Sequence, residues 1–160
     1  MRTAALHLIA ACCLAFPVHA AEPRTTIVPE KRKTEYENWH YAPAVRVGDL
    51  VVISGIPAYG PGPYADQVRR MFKAVAATLE AAGAKMEDVV EIQTFHAQAR
   101  DTEAFGKEIR EFIAVHGEFF TSHYPAWTAV GGITLLSPGA PVEMRVTAYV
   151  GSGAGARMKN

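Results

Sequence analysis

The chain has 160 residues, of which 49% are hydrophobic and 20% are charged. This composition is typical of one globular domain and is too apolar for a disordered chain. Lys and Arg together number 16, as do Asp and Glu. Because nucleic-acid binding depends on clustered positive charge, this balance argues against DNA or RNA as a partner.

Residues 1–20 are predicted to be a secretory signal peptide. Arg2 gives a positive start, residues 4–16 form an apolar run, and Val18-His19-Ala20 fits a small-residue cleavage site. The apolar run is shorter than the roughly 20 residues that a membrane-spanning helix needs. We therefore expect a periplasmic or secreted protein with no membrane attachment after cleavage. A lipoprotein modified at Cys12 is the alternative.

Both cysteines, Cys12 and Cys13, lie in this leader. The mature chain is therefore predicted to have no disulfide, no thiol nucleophile and no cysteine metal ligand. Its histidines show no close pair at metal-ligand spacing, so no metal site is expected. The chain also lacks a phosphate-binding glycine loop and a Gly-x-Ser-x-Gly motif, and no cofactor is predicted.

The mature chain begins with a polar segment and a β-hairpin. Residues 21–39 lack both the helical and the strand period, so we interpret them as an N-terminal arm, and the basic run 31–33 within it as solvated. Residues 44–47 and 50–54 are β-rich, and Gly48-Asp49 between them is typical of a tight turn. Prolines and glycines then predict a loop over residues 57–63.

Two amphipathic helices follow, with a strand over residues 88–97 between them. The first is predicted to end at Gly83, and the second to be capped by Asp101 or Thr102 and to end at Gly117. Their apolar positions are Val68, Phe72, Val75, Leu79 and Ala82 in the first helix, and Phe105, Ile109, Phe112 and Ile113 in the second.

The last segment alternates between apolar and polar residues over positions 142–150. This period of two is typical of a half-buried strand, with Glu143 and Arg145 on its polar face. The order of elements predicts an α+β fold, in which both helices pack on one face of a mixed sheet. We expect the other face to be covered by packing between subunits.

Candidates for chemistry are scattered along the chain. They are Tyr41, the Ser54-Gly55 pair, Trp127 with Thr128, and the strand face with Glu143 and Arg145. Taken singly, each also fits a surface or packing role.

In their order and spacing, these features resemble the Rid proteins, also called the YjgF or RidA-like family. Tyr41 lies fourteen residues before Gly55, Tyr124-Pro125-Ala126 precedes a strand, and Pro138-Gly139-Ala140 leads into the last strand. The resemblance places a Rid-like domain at 40–151 and leaves 152–160 as a flexible tail. It implies a chorismate-mutase-like fold and a homotrimer with ligand clefts between subunits, without a cofactor.

In the deaminating Rid proteins, an Arg after the Pro-Ala pair binds the substrate carboxylate, and a Glu on the last strand lies by the reacting centre. Trp127 and Arg145 occupy these two positions here, whereas Tyr41, Gly55 and Thr128 match other positions that line the cleft. The resemblance therefore implies that these five residues bind the ligand. It assigns no catalytic residue.

Two functions follow from the resemblance. The first is a trimer that binds a small molecule between subunits without the usual imine deamination. The alternative is an enamine or imine deaminase in which Arg145 has taken over the carboxylate, so that Trp127 and Arg145 act as a pair across one cleft. A ribonuclease, the third candidate, is disfavoured by the balanced charge.

Overall fold

A computed structural model describes residues 21–159, so the predicted signal peptide, with Cys12 and Cys13, lies outside the described residues. The strands are β1 (Arg24–Ile27), β2 (Ala44–Val47), β3 (Leu50–Pro57), β4 (Val89–His96), β5 (Ala126–Gly131) and β6 (Val142–Tyr149). The helices are α1 (Lys33–Trp39), α2 (Tyr64–Ala81) and α3 (Thr102–Phe119). Within residues 21–159, no helix is long and apolar enough to cross a bilayer.

The strands form one mixed sheet in the order β1-β2-β3-β6-β4-β5. The pair β4 and β5 is parallel, and α3 makes the crossover between these strands, while the other neighbours are antiparallel. The predicted hairpin is confirmed, since Val47 pairs with Leu50 and Gly48 adopts a φ of 56° in the turn. The predicted α+β class is confirmed as well.

Helices α2 and α3 cover one face of the sheet. The predicted apolar stripe of α2 is buried, and β6 buries Val142, Met144, Val146 and Ala148 against it. The two helices meet where the rings of Phe72 and Phe112 lie 5.6 Å apart. Burial of each such side chain contributes about 1.5–3 kcal/mol, so this layer supplies most of the stabilisation.

Helix α3 begins as predicted but ends later. The Asp101 carboxylate accepts a hydrogen bond from the amide of Ala104 at 2.8 Å, which is an N-cap. The predicted end at Gly117 is wrong, because the helix continues to Phe119, whose ring stacks on the α2 core. Ile113, predicted to be buried, is 48% exposed, and Val115 and His116 are buried instead.

The segment 21–39, interpreted as an N-terminal arm, contains β1, a 3₁₀ turn (Glu30–Arg32) and α1. Strand β1 is an edge strand that pairs with β2 through its backbone, and its first two residues are exposed. A polar edge strand that pairs only through its backbone does not need alternating apolar side chains, so hydrophobic periodicity does not reveal it. This explains why the sequence pattern did not predict it.

The chain after β6 is attached to the start of β4. The buried Asp88 carboxylate accepts hydrogen bonds from the amides of Gly151 at 2.9 Å and Gly153 at 3.3 Å. Its other oxygen accepts from the amide of Lys85 at 3.0 Å. The segment 152–160, predicted to be a flexible tail, is therefore fixed at its first residues.

Candidate functional site

The sheet face opposite α2 and α3 carries a row of polar side chains. Arg145 on β6 pairs with Gln93 on β4, and Gln93 pairs with Thr128 on β5. Side chains at paired positions of neighbouring strands lie on the same face. Thr128 and Arg145, two of the predicted site residues, therefore share this open face.

The polar row ends at a bulge in β3. The register between β3 and β6 shifts between Ile53 and Ile56, so that Ser54 and Gly55 both lie opposite Arg145. A methyl group at Gly55 would overlap the carboxylate of Glu143. Glycine is therefore required here for the close approach of a side chain to the backbone.

The segment before β2 is held against this bulge. The amide of Ser54 donates to the carbonyl of Pro43 at 3.0 Å, and its hydroxyl donates to the carbonyl of Ala42 at 2.7 Å. Tyr41 precedes these residues, and its hydroxyl accepts a hydrogen bond from Nη2 of Arg32 at 3.2 Å. We call Arg32, Tyr41, Gly55 and Glu143 the Gly55 cluster.

Opposite charges meet in the Gly55 cluster. Burial raises the pKa of Glu143, and the nearby Arg32 guanidinium opposes this shift. Arg32 is held on its other side by Glu35, whose carboxylate lies 3.3 Å from Nε. The cluster thus combines a fixed cation, a phenol and a carboxyl group whose ionised form is partly destabilised by burial.

The structure separates Trp127 from the other predicted site residues. Trp127 pairs with Ile92, the neighbour of Gln93 on β4, and so its indole lies on the face covered by the helices. It stacks on Phe112 with ring centroids 5.2 Å apart, and on His116 at 5.7 Å. The predicted pairing of Trp127 with Arg145 is therefore wrong within one chain, because the strand period of two sends them to opposite faces.

The indole nitrogen of Trp127 joins a buried hydrogen-bond network. It donates to Oγ1 of Thr94 at 2.9 Å, which lies 2.9 Å from Nε2 of His96. Nδ1 of His96 lies 2.8 Å from the carboxylate of Glu108. A hydroxyl, an imidazole and a carboxylate in this order also occur in hydrolases, but Thr94 and His96 are 0% exposed. The network therefore serves packing, since no substrate reaches it.

Open depressions of about 240 and 500 Å³ lie beside the loops that follow β4 and β5. They are lined mainly by loop residues, and none of the five predicted site residues lines either of them. Among the residues that the structure describes, no group of three His, Cys, Asp or Glu side chains could hold a metal ion. The Gly55 cluster therefore concentrates the available chemistry better than the depressions do.

A model of the family described as Endoribonuclease L-PSP matches residues 34–150. The chain belongs to this family. The match spans every described strand except β1, including both strands that form the Gly55 bulge.

Two curated proteins are similar to this chain over most of their length. The RutC family protein YjgH of Escherichia coli is 33% identical over 133 residues, which cover 79% of this chain and 95% of that protein. A 2-iminobutanoate/2-iminopropanoate deaminase of Dermatophagoides farinae is 33% identical over 111 residues, which cover 65% of this chain and 80% of that protein.

Solved structures give the same relationship. A member of the YjgF/YER057c/UK114 family from Mycobacterium tuberculosis has a TM-score of 0.66 and 30% identity, covering 80% of this chain and all of that chain. The YjgH structure has a TM-score of 0.66 and 33% identity, covering 79% of this chain and 96% of that chain. The resemblance to the YjgF family and its fold is confirmed.

The interpretation of the sequence missed Arg32 as a site residue and did not assign Glu143 a place in the site. Glu143 could have been included, because it lies two residues before Arg145 on the same face of β6. Arg32 could not, because it lies in a basic run whose other two members, Lys31 and Lys33, are exposed. Only the folded N-terminal segment shows which of the three is turned inward.

Proposed function

We propose that the chain binds a small polar molecule at the Gly55 cluster, on the open face of the sheet. The single observation that supports this best is the placement of Tyr41 and Gly55 beside the half-buried Glu143 and Arg32. The family resemblance separately implies that Tyr41 and Gly55 line the cleft. Arg145 and Thr128 extend this polar surface along the same face.

A second candidate function is the hydrolysis of a small imine to a ketone and ammonia. The observation that favours it is the burial of Glu143, because burial raises the pKa of this carboxyl group and so makes its ionised form a better proton acceptor. Glu143 would take a proton from the attacking water as oxygen bonds to the imine carbon. It would return this proton to nitrogen, which gives a carbinolamine. It would then carry the remaining hydroxyl proton to the same nitrogen as the carbonyl forms, the carbon–nitrogen bond breaks and ammonia leaves.

Replacing Glu143 with Gln is expected to lower imine hydrolysis by about 10²–10⁴-fold, the usual contribution of a general acid–base group. An amino-acid oxidase would generate 2-iminobutanoate, and semicarbazide would trap what the protein does not hydrolyse. Glu103→Gln is the matched control, because Glu103 is exposed on α3, where it pairs with Lys107. Wild-type protein that leaves semicarbazone formation unchanged would rule out the hydrolase and leave only the binding function.

We further propose a homotrimer exported after cleavage near Ala20. Several large apolar side chains are exposed on the sheet and its surrounding loops, which favours burial between subunits: Val47, Leu50, Tyr124, Val130, Leu136 and Tyr149. Native mass spectrometry of protein from the exported fraction should give three times the mass of the chain without residues 1–20. A monomer would contradict the trimer, and a chain that retains Cys12 would contradict cleavage near Ala20.

A further inference from the structure

Arg32 is the partly buried member of an otherwise exposed basic run. Its side chain is 14% exposed, although it lies in a 3₁₀ turn at the surface, and Lys31 and Lys33 on either side are exposed. Long charged side chains are rarely buried unless they are paired. The guanidinium of Arg32 therefore needs hydrogen-bond or charged partners where it lies.

Two of the three guanidinium nitrogens of Arg32 have partners. Nε faces Glu35 at 3.3 Å, and Nη2 donates to Tyr41 at 3.2 Å. The third nitrogen, Nη1, is shielded from solvent and has no hydrogen-bond partner among residues 21–159. Burial raises the pKa of Glu143 and the charge of Arg32 opposes this rise, which shows that the Arg32 and Glu143 side chains are close. They form no ion pair among residues 21–159.

We infer that Arg32 is the anion-binding residue of the Gly55 cluster and that it takes the carboxylate of a small 2-oxo or 2-imino acid. This inference rests on the proposed function. The partnerless Nη1 can donate a charge-assisted hydrogen bond to a carboxylate. Trp127 cannot supply this charge, because an indole is uncharged, and its ring packs beneath α3.

Arg32 lies just before the part of the chain that matches the family model. The family match begins at residue 34, after Arg32. Residue 32 is carried to the cluster by the turn before α1, and Tyr41 follows that helix. Because Nη1 is closed to solvent without ligand, binding requires a side chain to move. We expect this side chain to be Glu143, because its far end lies over Gly55 and its carboxyl group is near the Arg32 charge.

Calorimetric titration of the purified protein with 2-oxobutanoate tests this inference. Arg32→Gln should weaken binding by about tenfold or more, since a charge-assisted hydrogen bond is lost. Arg32→Lys, which keeps the charge but not the planar fork, should fall between Gln and wild type. Lys31→Gln is the matched control in the same run, and it should bind as the wild type does.

The outcomes separate this inference from the proposed function. If wild type binds 2-oxobutanoate and Arg32→Gln binds equally well, the anchor is not Arg32, although the binding function remains. Loss of binding in Arg145→Gln with full binding in Arg32→Gln would move the anchor to the polar row. Wild type that neither binds 2-oxobutanoate nor hydrolyses the imine would overturn the proposed function itself. Circular dichroism of each variant checks that the fold is kept.

Discussion

Replacing Trp127 with Arg is expected to destabilise the fold by about 3 kcal/mol or more and to produce no deaminase activity. The indole fills space beside Phe112 and His116, and loss of a packed Trp side chain costs about 3–5 kcal/mol. A guanidinium in its place would lie against aromatic rings without a carboxylate partner. Urea denaturation of the variant and the wild type measures the difference in the free energy of unfolding.

Trp127→Phe is the matched control. It keeps a ring in the stack and removes only the hydrogen bond to Thr94, so it should cost about 1–2 kcal/mol. Adding Arg145→Glu to Trp127→Arg should not rescue imine hydrolysis, because the two positions lie on opposite faces of the sheet. Activity in the double variant but not in the single one would show that the residues are coupled after all.

The second large effect is expected at Asp88. Asp88→Ala should lower the free energy of unfolding by about 2–4 kcal/mol, because the amides of Lys85, Gly151 and Gly153 lose a charged acceptor. It should also release the C-terminal segment, which hydrogen exchange at the amides of residues 151 and 153 would detect.

Two further variants show whether the carboxylate is responsible. Asp88→Asn keeps one oxygen acceptor and should be intermediate in stability. Glu87→Ala removes an exposed neighbouring carboxylate, which lies 3.6 Å from Lys85, and should change stability by less than about 1 kcal/mol. Equal stability of Asp88→Ala and wild type would show that these hydrogen bonds do not hold the chain end.

The sequence predicted the central fold well, because its signals are local and strong. The stripe of α2 and the alternation of β6 report burial directly, and Gly48-Asp49 fits only a tight turn. The end of α3 was misplaced, since a glycine stops a helix only where the chain needs a left-handed residue. Gly117 does not adopt a positive φ, and the helix continues to Phe119, whose ring packs on Phe72.

The site was harder to predict, because it depends on which face each side chain occupies. Matching Trp127 to a family position gave its place in the chain but not its side-chain environment. Phe112 and His116 on α3 provide an aromatic site beneath the sheet that holds the indole there. The hydrophobic pattern could not identify Arg32 as a site residue for a similar reason. Tyr41 follows it by nine residues and Glu143 lies near the end of the domain, so the three side chains meet only in the fold.

The most direct measurement is a crystal structure of the protein with 2-oxobutanoate. We expect the ligand carboxylate within hydrogen-bonding distance of the Arg32 guanidinium, with the oxo carbon facing the Glu143 carboxyl group and the ligand packed over Gly55. Ligand bound at Arg145 without contact to Arg32, or only in the depressions beside the loops after β4 and β5, would contradict the assignment of the Gly55 cluster as the binding site.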